Sequence, residues 1–322
     1  MRALLPILLI ALLMPFGASA EIIPTLGGTM ELLAVPNNPG PKETVRLSAK
    51  IYTGVTTNSS YTWVVNGKTA EQGIGRDSIS VTLGGPGSVT TVEVSAYQAG
   101  EFIAEKSITF RPATIDLVWE GNTSRPPLYI GRPLPNGSSN TTILAVPHIV
   151  RSGATISPSD LVYTWSVNGK VLASQSGYGK ISATIASPRF ESAFEVSVKA
   201  TTRDGVITSE KTTVVTPIRP TAVVYENAPL LGHTFNKATA GTFEFLEDEA
   251  SFTAYPLFVS STDDLSYEWQ LDGEPFVLDK LNPFDVTFRK EGGGRGLHSV
   301  EFSFEHVNKL FERGTRTFNL SI

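Results

Sequence analysis

One phrase recurs three times along the chain: YTWVVNGK at 61–68, YTWSVNGK at 163–170 and YEWQLDGE at 267–274, at intervals of 102 and 104 residues. A period near 100 is too long for the stacked units of a solenoid and fits the size of an independent domain. Whatever one copy folds into, the chain must fold into three times. Other blocks keep step with the phrase. Upstream lie VRLSAKIY (45–52), TTILAVPH (141–148) and ASFTAYPL (250–257), whose alanines Ala49, Ala145 and Ala254 precede the Trp by 14, 20 and 15 residues. Downstream lie TVEVSAY (91–97), FEVSVKA (194–200) and VEFSFEH (300–306), with 31, 31 and 33 residues from each Trp to Val94, Val196 and Phe302.

Within these blocks the hydrophobic period is 2. Tyr163, Trp165 and Val167 share one face against Thr164, Ser166 and Asn168, and Tyr267, Trp269 and Leu271 oppose Glu268, Gln270 and Asp272. Such alternation marks strands with one face on a core and the other in water. Tyr61, Trp63, Tyr163, Trp165, Tyr267 and Trp269 are therefore the expected structural core. Asn66-Gly67, Asn168-Gly169 and Asp272-Gly273 follow the Trp strands and predict type I′ hairpin turns, whose two central residues both need φ > 0. Further hairpins are expected near Gln98-Ala99-Gly100, Arg203-Asp204-Gly205 and His306-Val307-Asn308, before closing strands that end near Phe110, Val215 and Leu320. About seven short strands per hundred residues, with no helical stretch, predict an all-β chain of three tandem β-sandwiches.

The Trp strand with its hairpin, and the paired V-x-V strand about 30 residues later, resemble immunoglobulin-like modules of the PKD kind. YTWSVNGK is similar to the PKD strand Y-x-W-x-x-x-G, and FEVSVKATTRDGVITSEKTTVVT resembles that family's last hairpin. The resemblance covers all three repeats. It implies binding, spacing or surface display by a bacterial exported protein, and not catalysis.

The first twenty residues read as a signal peptide. Arg2, the apolar run Leu4 to Met14, and Ala18-Ser19-Ala20 predict cleavage before Glu21. The run falls short of the roughly 20 apolar residues that span a bilayer, and no later stretch is apolar enough. Removing 20 residues from 322 leaves 302, divided at the proline-containing joints 111–114 and 216–220 into modules 21–112, 113–217 and 218–322. TIDLVWEGNTSRPPLYIGRPL (114–134) runs parallel to TAVVYENAPLLGHTF (221–235), matching Trp119-Glu120 with Tyr225-Glu226, as a first strand and a proline-pinned loop. With linkers this short, the modules are expected end to end with limited swing. The chain has no cysteine, which excludes disulfides, thiolate metal sites and a lipidated cysteine. The expected location is periplasmic, cell-surface or secreted.

The third module holds 9 basic and 16 acidic residues, the first 7 and 8, the second 9 and 7. No basic stripe suits a phosphate backbone, so nucleic acid is not an expected partner. His148, His233, His298 and His306 are in no metal-ligand spacing, and the glycine-rich Glu291–Gly296 reads as a hairpin loop rather than a phosphate cradle. Glu247, Asp248, Glu249, Asp263 and Asp264 are the acidic clusters that loops at one end of a sandwich could bring round a calcium ion. Twelve of the 17 phenylalanines fall between Phe235 and Phe318, as a larger aromatic core or as the lining of a partner groove. Sequons at Asn58, Asn122, Asn136, Asn140 and Asn319 read as chance. The expectation is a non-enzymatic, exported protein without a cofactor, holding or presenting a surface to a protein or carbohydrate at the cell envelope. The alternative is a calcium- or carbohydrate-binding accessory module.

Overall fold

The computed structural model describes residues 29–52, 58–188, 192–276, 281–292 and 295–322. The expected signal peptide, and Gly293 and Gly294 of the glycine-rich loop, lie outside them. Among the described residues there is no α-helix, and strands build every layer.

In the first repeat, β1 (Met30–Val35), β2 (Thr44–Ile51) and β5 (Ser78–Thr82) form one sheet in the order β1-β2-β5. The second sheet is β4-β3-β6-β7, from β3 (Ser60–Val65), β4 (Lys68–Ile74), β6 (Thr90–Gln98) and β7 (Glu101–Phe110). The second repeat repeats this plan. Its first sheet is β15-β9-β8, from β8 (Thr114–Gly121), β9 (Asn140–His148) and β15 (Ser182–Ala186), beside a small hairpin of β10 (Val150–Arg151) and β11 (Ala154–Thr155). Its second sheet is built on β12 (Leu161–Val167), β16 (Phe194–Thr202) and β17 (Thr208–Val215), with the short β13 (Lys170–Val171) and β14 (Gly177–Tyr178) along β12. In the third repeat, β18 (Thr221–Ala228), β19 (Gly232–Ala238), β21 (Glu249–Leu257) and β24 (Asp285–Arg289) pair in the order β19-β18-β21-β24. Facing them are β20 (Thr242–Glu244), β22 (Leu265–Leu271), β23 (Glu274–Pro275), β25 (Leu297–His306) and β26 (Arg313–Ser321), in the order β20-β26-β25-β22-β23.

Each pair of sheets closes over its own apolar cluster, with Trp63, Trp165 and Trp269 fully buried at the centres. A buried indole N–H needs an acceptor. Each finds a backbone carbonyl, Arg76 O at 2.8 Å, Lys180 O at 2.8 Å and Pro283 O at 3.3 Å. Tyr61 and Tyr163 are buried as expected, but Tyr267 is only half-buried, its ring packed on Phe284 (4.5 Å between centroids) beside a trough lined by Arg219 and Pro220. Tyr163 and Tyr267 donate their hydroxyls to carbonyls five residues upstream, Pro158 O and Thr262 O. Burial pushes both phenols up to about 12, with the Asp263 charge adding to it at Tyr267.

The three turns are as expected. Asn66, Asn168 and Asp272 have φ of 50°, 47° and 51°, and the glycines after them 76°, 76° and 85°. The turn residue does a second job in every copy. Its side-chain oxygen accepts the N–H of Thr91, Glu195 or Ser299 at 2.8–2.9 Å, while its own N–H donates to the carbonyl of that same residue. This reciprocal pair ties the hairpin to the following strand and fixes its register. The true partners of the tryptophans are Val94, Val198 and Phe302. In the second repeat this is two residues beyond Val196, a shift that leaves the buried face unchanged.

A one-residue correction matters more. Ala145 pairs with Leu117 and Ala254 with Val224, so Trp119 is equivalent to Glu226, not to Tyr225. A slip of one residue exchanges the two faces of a strand. Trp119 therefore points into its core, with the Arg132 guanidinium 3.6 Å from the ring centroid, whereas Tyr225 stands on the outer face of its sheet.

Candidate functional site

The second repeat differs from the first by the loop between β8 and β9, residues 122–139, which folds onto Ile218 and the end of β21. Gly121 permits this fold-back: a Cβ there would lie 2.3 Å from Pro135 N. Gly121 N–H donates to Pro133 O, Thr123 Oγ1 to Leu134 O, and Ile218 N–H to Pro135 O. From this base Ser124 pairs with the end of β21 like a short strand, its N–H donating to Val259 O (2.7 Å) and its carbonyl accepting Phe258 N–H (2.8 Å). The Asn136 side chain, fully buried, donates Nδ2–H to Phe258 O at 2.7 Å. Tyr129 packs edge-on against the Phe258 ring. Phe258 has φ of 60°, a left-handed conformation that costs a non-glycine residue roughly 1–2 kcal/mol and is held here by both modules. On the far side, Ser260 N–H and Oγ–H donate to the buried carboxylate of Glu312, with Lys309 Nζ close to Ser260 Oγ and Glu312. Bonds as well as the short linker thus connect the two modules.

Against this joint lies a cleft of about 360 Å³. Ser124, Arg125 and Pro126 of the second module form one side, and His233, Thr253, Tyr255, Asn282, Phe284 and Asp285 of the third are among those that form the other. The strand period of β21 puts Thr253 and Tyr255 together on the outer face, opposite the core residues Phe252 and Ala254. Between Tyr225 and Asn227 the pairing of β18 with β19 is irregular, and four residues of β19 bulge opposite one of β18. The bulge, residues 234–237, carries Phe235 beside His233, which pairs with Asn227 at its edge. Tyr225, His233, Phe235 and Tyr255 then contact one another at 5.3–6.1 Å between ring centroids. Beneath them Thr253 Oγ1 donates to Asp285 Oδ1 at 2.6 Å, so its oxygen accepts from His233 Nε2–H at 3.0 Å. Burial raises the Tyr225 phenol, and burial with the Asp285 charge raises that of Tyr255. The hydroxyl proton thus goes to the carboxylate and not to the imidazole. The chemistry on offer is recognition by rings, hydroxyls, an amide and one charge of each sign.

The sequence singled out other residues. Glu247, Asp248 and Glu249 lead into β21, while Asp263 and Asp264 lie beyond its far end. A nine-residue strand spans roughly 27 Å, so the two groups cannot share an ion. Glu249 is paired instead with Arg289 Nε at 2.7 Å. Among the described residues no three His, Asp or Glu side chains gather as a metal site. The phenylalanines are mostly core: Phe252 lies 4.9 Å from Phe318 and 5.0 Å from Phe243, and Phe302 4.9 Å from Trp269. Asn136, read as a chance sequon, is the buried pin of the joint. Sequence reasoning missed the cleft, and the signal available was Thr253 and Tyr255 alternating with Phe252 and Ala254.

Paired sheets in this order, each pair closed on a buried Trp, define a tandem array of immunoglobulin-like β-sandwich modules. No protein-family model matches the chain, and no curated protein matches it. Among solved structures it is similar to the three N-terminal domains of the highly immunogenic outer capsid protein of bacteriophage RB49 (12% identity, 91% of this chain and 97% of that one, TM-score 0.26). It is also similar to the central fibronectin-III array of RIM-binding protein (11%, 92% and 97%, 0.33) and to fibronectin(III)-like modules of Clostridium thermocellum CbhA (15%, 64% and 94%, 0.22). No helix among the described residues is long and apolar enough to cross a membrane.

Proposed function

We propose that the chain is a non-enzymatic binding and spacing protein of the bacterial cell envelope or surface, exported by its N-terminal segment, whose PKD-like modules present a recognition cleft. The observation that carries this reading is the locked joint. Two modules that only needed connecting are instead pinned by the buried Asn136 and the Ser124 pairing, and the cleft takes a wall from each. Fixed geometry between the walls of a site lowers the ordering cost of binding. The Arg2–Ala20 leader pattern supports export.

The test is photo-crosslinking in the native cell from positions on the rim of the cleft, followed by identification of what is captured. One recurring envelope component, lost when the probe is moved to the first module, is the expected result. Recovery of the protein uncrosslinked in the medium would overturn the proposal.

A further inference from the structure

We infer that the cleft between the second and third modules is a glycan-binding site that seats one or two sugar rings against Tyr255 and Phe284. The assignment rests on the binding role proposed above and narrows it to one ligand chemistry. A cleft of about 360 Å³ is at the small end of ligand sites, which run from about 300 to 1,000 Å³. Its formal charges balance, Arg125 on one wall and Asp285 on the other, which suits neither a polyanion nor a polycation. Its polar groups are mixed in kind. The Arg125 guanidinium offers donors, holding only one long bond to Gly131 O at 3.4 Å. The Asp285 carboxylate offers an acceptor, and the Asn282 amide offers both. A sugar hydroxyl donates and accepts at once, so a polyol uses all three together, while the apolar C–H side of its ring packs on aromatic carbon. Ser124 Oγ, on the same wall as Arg125, is buried without a hydrogen-bond partner. A peptide added as a strand fits less well. The backbone groups of Ser124, Phe258 and Val259 that an extended chain would need are already bonded to each other across the joint.

The test is calorimetry of the full chain with cellotetraose, maltotetraose and chitotetraose, beside binding to the native envelope fraction before and after periodate oxidation of its glycans. Saturable binding of one tetrasaccharide is expected, weakened at least tenfold by Arg125→Ala and by Asn282→Ala. Both side chains are exposed, so their loss leaves the melting temperature in place. Lys237→Ala, exposed and outside the cleft, serves as the unchanged control. Envelope binding that survives both periodate and the two substitutions overturns the glycan assignment while leaving the binding role standing. Binding to neither sugar nor envelope overturns both.

Discussion

Replacing Asn136 by alanine tests the joint where the structure is most explicit. The carboxamide is fully buried and makes two hydrogen bonds: Nδ2–H donates to Phe258 O at 2.7 Å, and Oδ1 accepts Ser138 N–H at 2.7 Å. Truncation orphans a carbonyl on one module and an amide on the other. A buried group left without its partner costs about 1–3 kcal/mol, so the two together amount to about 2–4 kcal/mol after partial relaxation. The loss falls on the joint and not on either Trp-centred core, because Asn136 belongs to none of the three apolar clusters. Calorimetry of the full chain is therefore expected to separate the melting of the second and third modules, with the first unmoved. Limited proteolysis is expected to open first near residues 122–139. Asn122→Ala is the matched control, since its exposed side chain accepts from the Thr142 hydroxyl at the surface and the change stays within about 0.5 kcal/mol. Asn136→Asp keeps the acceptor but sets a carboxylate against Phe258 O, so it destabilises at neutral pH and recovers as the pH falls through the range of that carboxylate. If Asn136→Ala and Asn122→Ala melt alike, the joint is not held as argued.

The other predictions concern parts of the frame. Alanine at Asn66, Asn168 or Asp272 must adopt φ near 50° and gives up the bond to the following strand, a loss of about 2 kcal/mol in urea denaturation, of which glycine restores roughly half. Asp204 accepts from Thr202 Oγ1, Val206 N–H and Arg151, which lower its carboxyl from 3.8 to about 2. Because the folded value lies below the unfolded one, its contribution is complete above about pH 4 and is lost as the pH falls through about 2. NMR titration is expected to show that midpoint and to move it upward in Arg151→Ala. Glu312→Ala leaves Ser260 N–H and the half-buried Lys309 ammonium without their carboxylate, at a cost of roughly 2–3 kcal/mol, and sheds more than Glu312→Gln in thermal melts.

Much of the frame was legible because its determinants are local. Asn-Gly after an alternating Trp strand specifies a turn, and the turn specifies which strand face is buried, so Trp63, Trp165 and Trp269 read correctly without any long-range information. The same locality explains the misreadings. Trp119 and Tyr225 look equivalent by type and by their following glutamate, yet the pairing of Ala145 with Leu117 and of Ala254 with Val224 sets them on opposite faces. Acidic residues at 247–249 and 263–264 look close in sequence, but the straight strand between them keeps them apart. Asn136 reads as a chance sequon because its partner, Phe258 O, is 122 residues away.

The cleft follows the same logic in the other direction. Its parts come from three places in the chain, 124–126, 233–262 and 282–285, none of which carries a motif, and they meet where the loop after β8 is pinned to the end of β21. In the first repeat the chain runs from β1 to β2 through only eight residues, 36–43, with no comparable loop to pin. The shared residues of the three copies, Tyr, Trp and a Gly preceded by Asn or Asp, are spent on packing and turns. The residues peculiar to the second and third copies lock one module to the next and then line the space the lock creates. Specificity in a tandem array can therefore arise at a joint between modules whose cores are interchangeable, and substitutions at Arg125 or Asn282 are expected to change what is bound without changing what is folded.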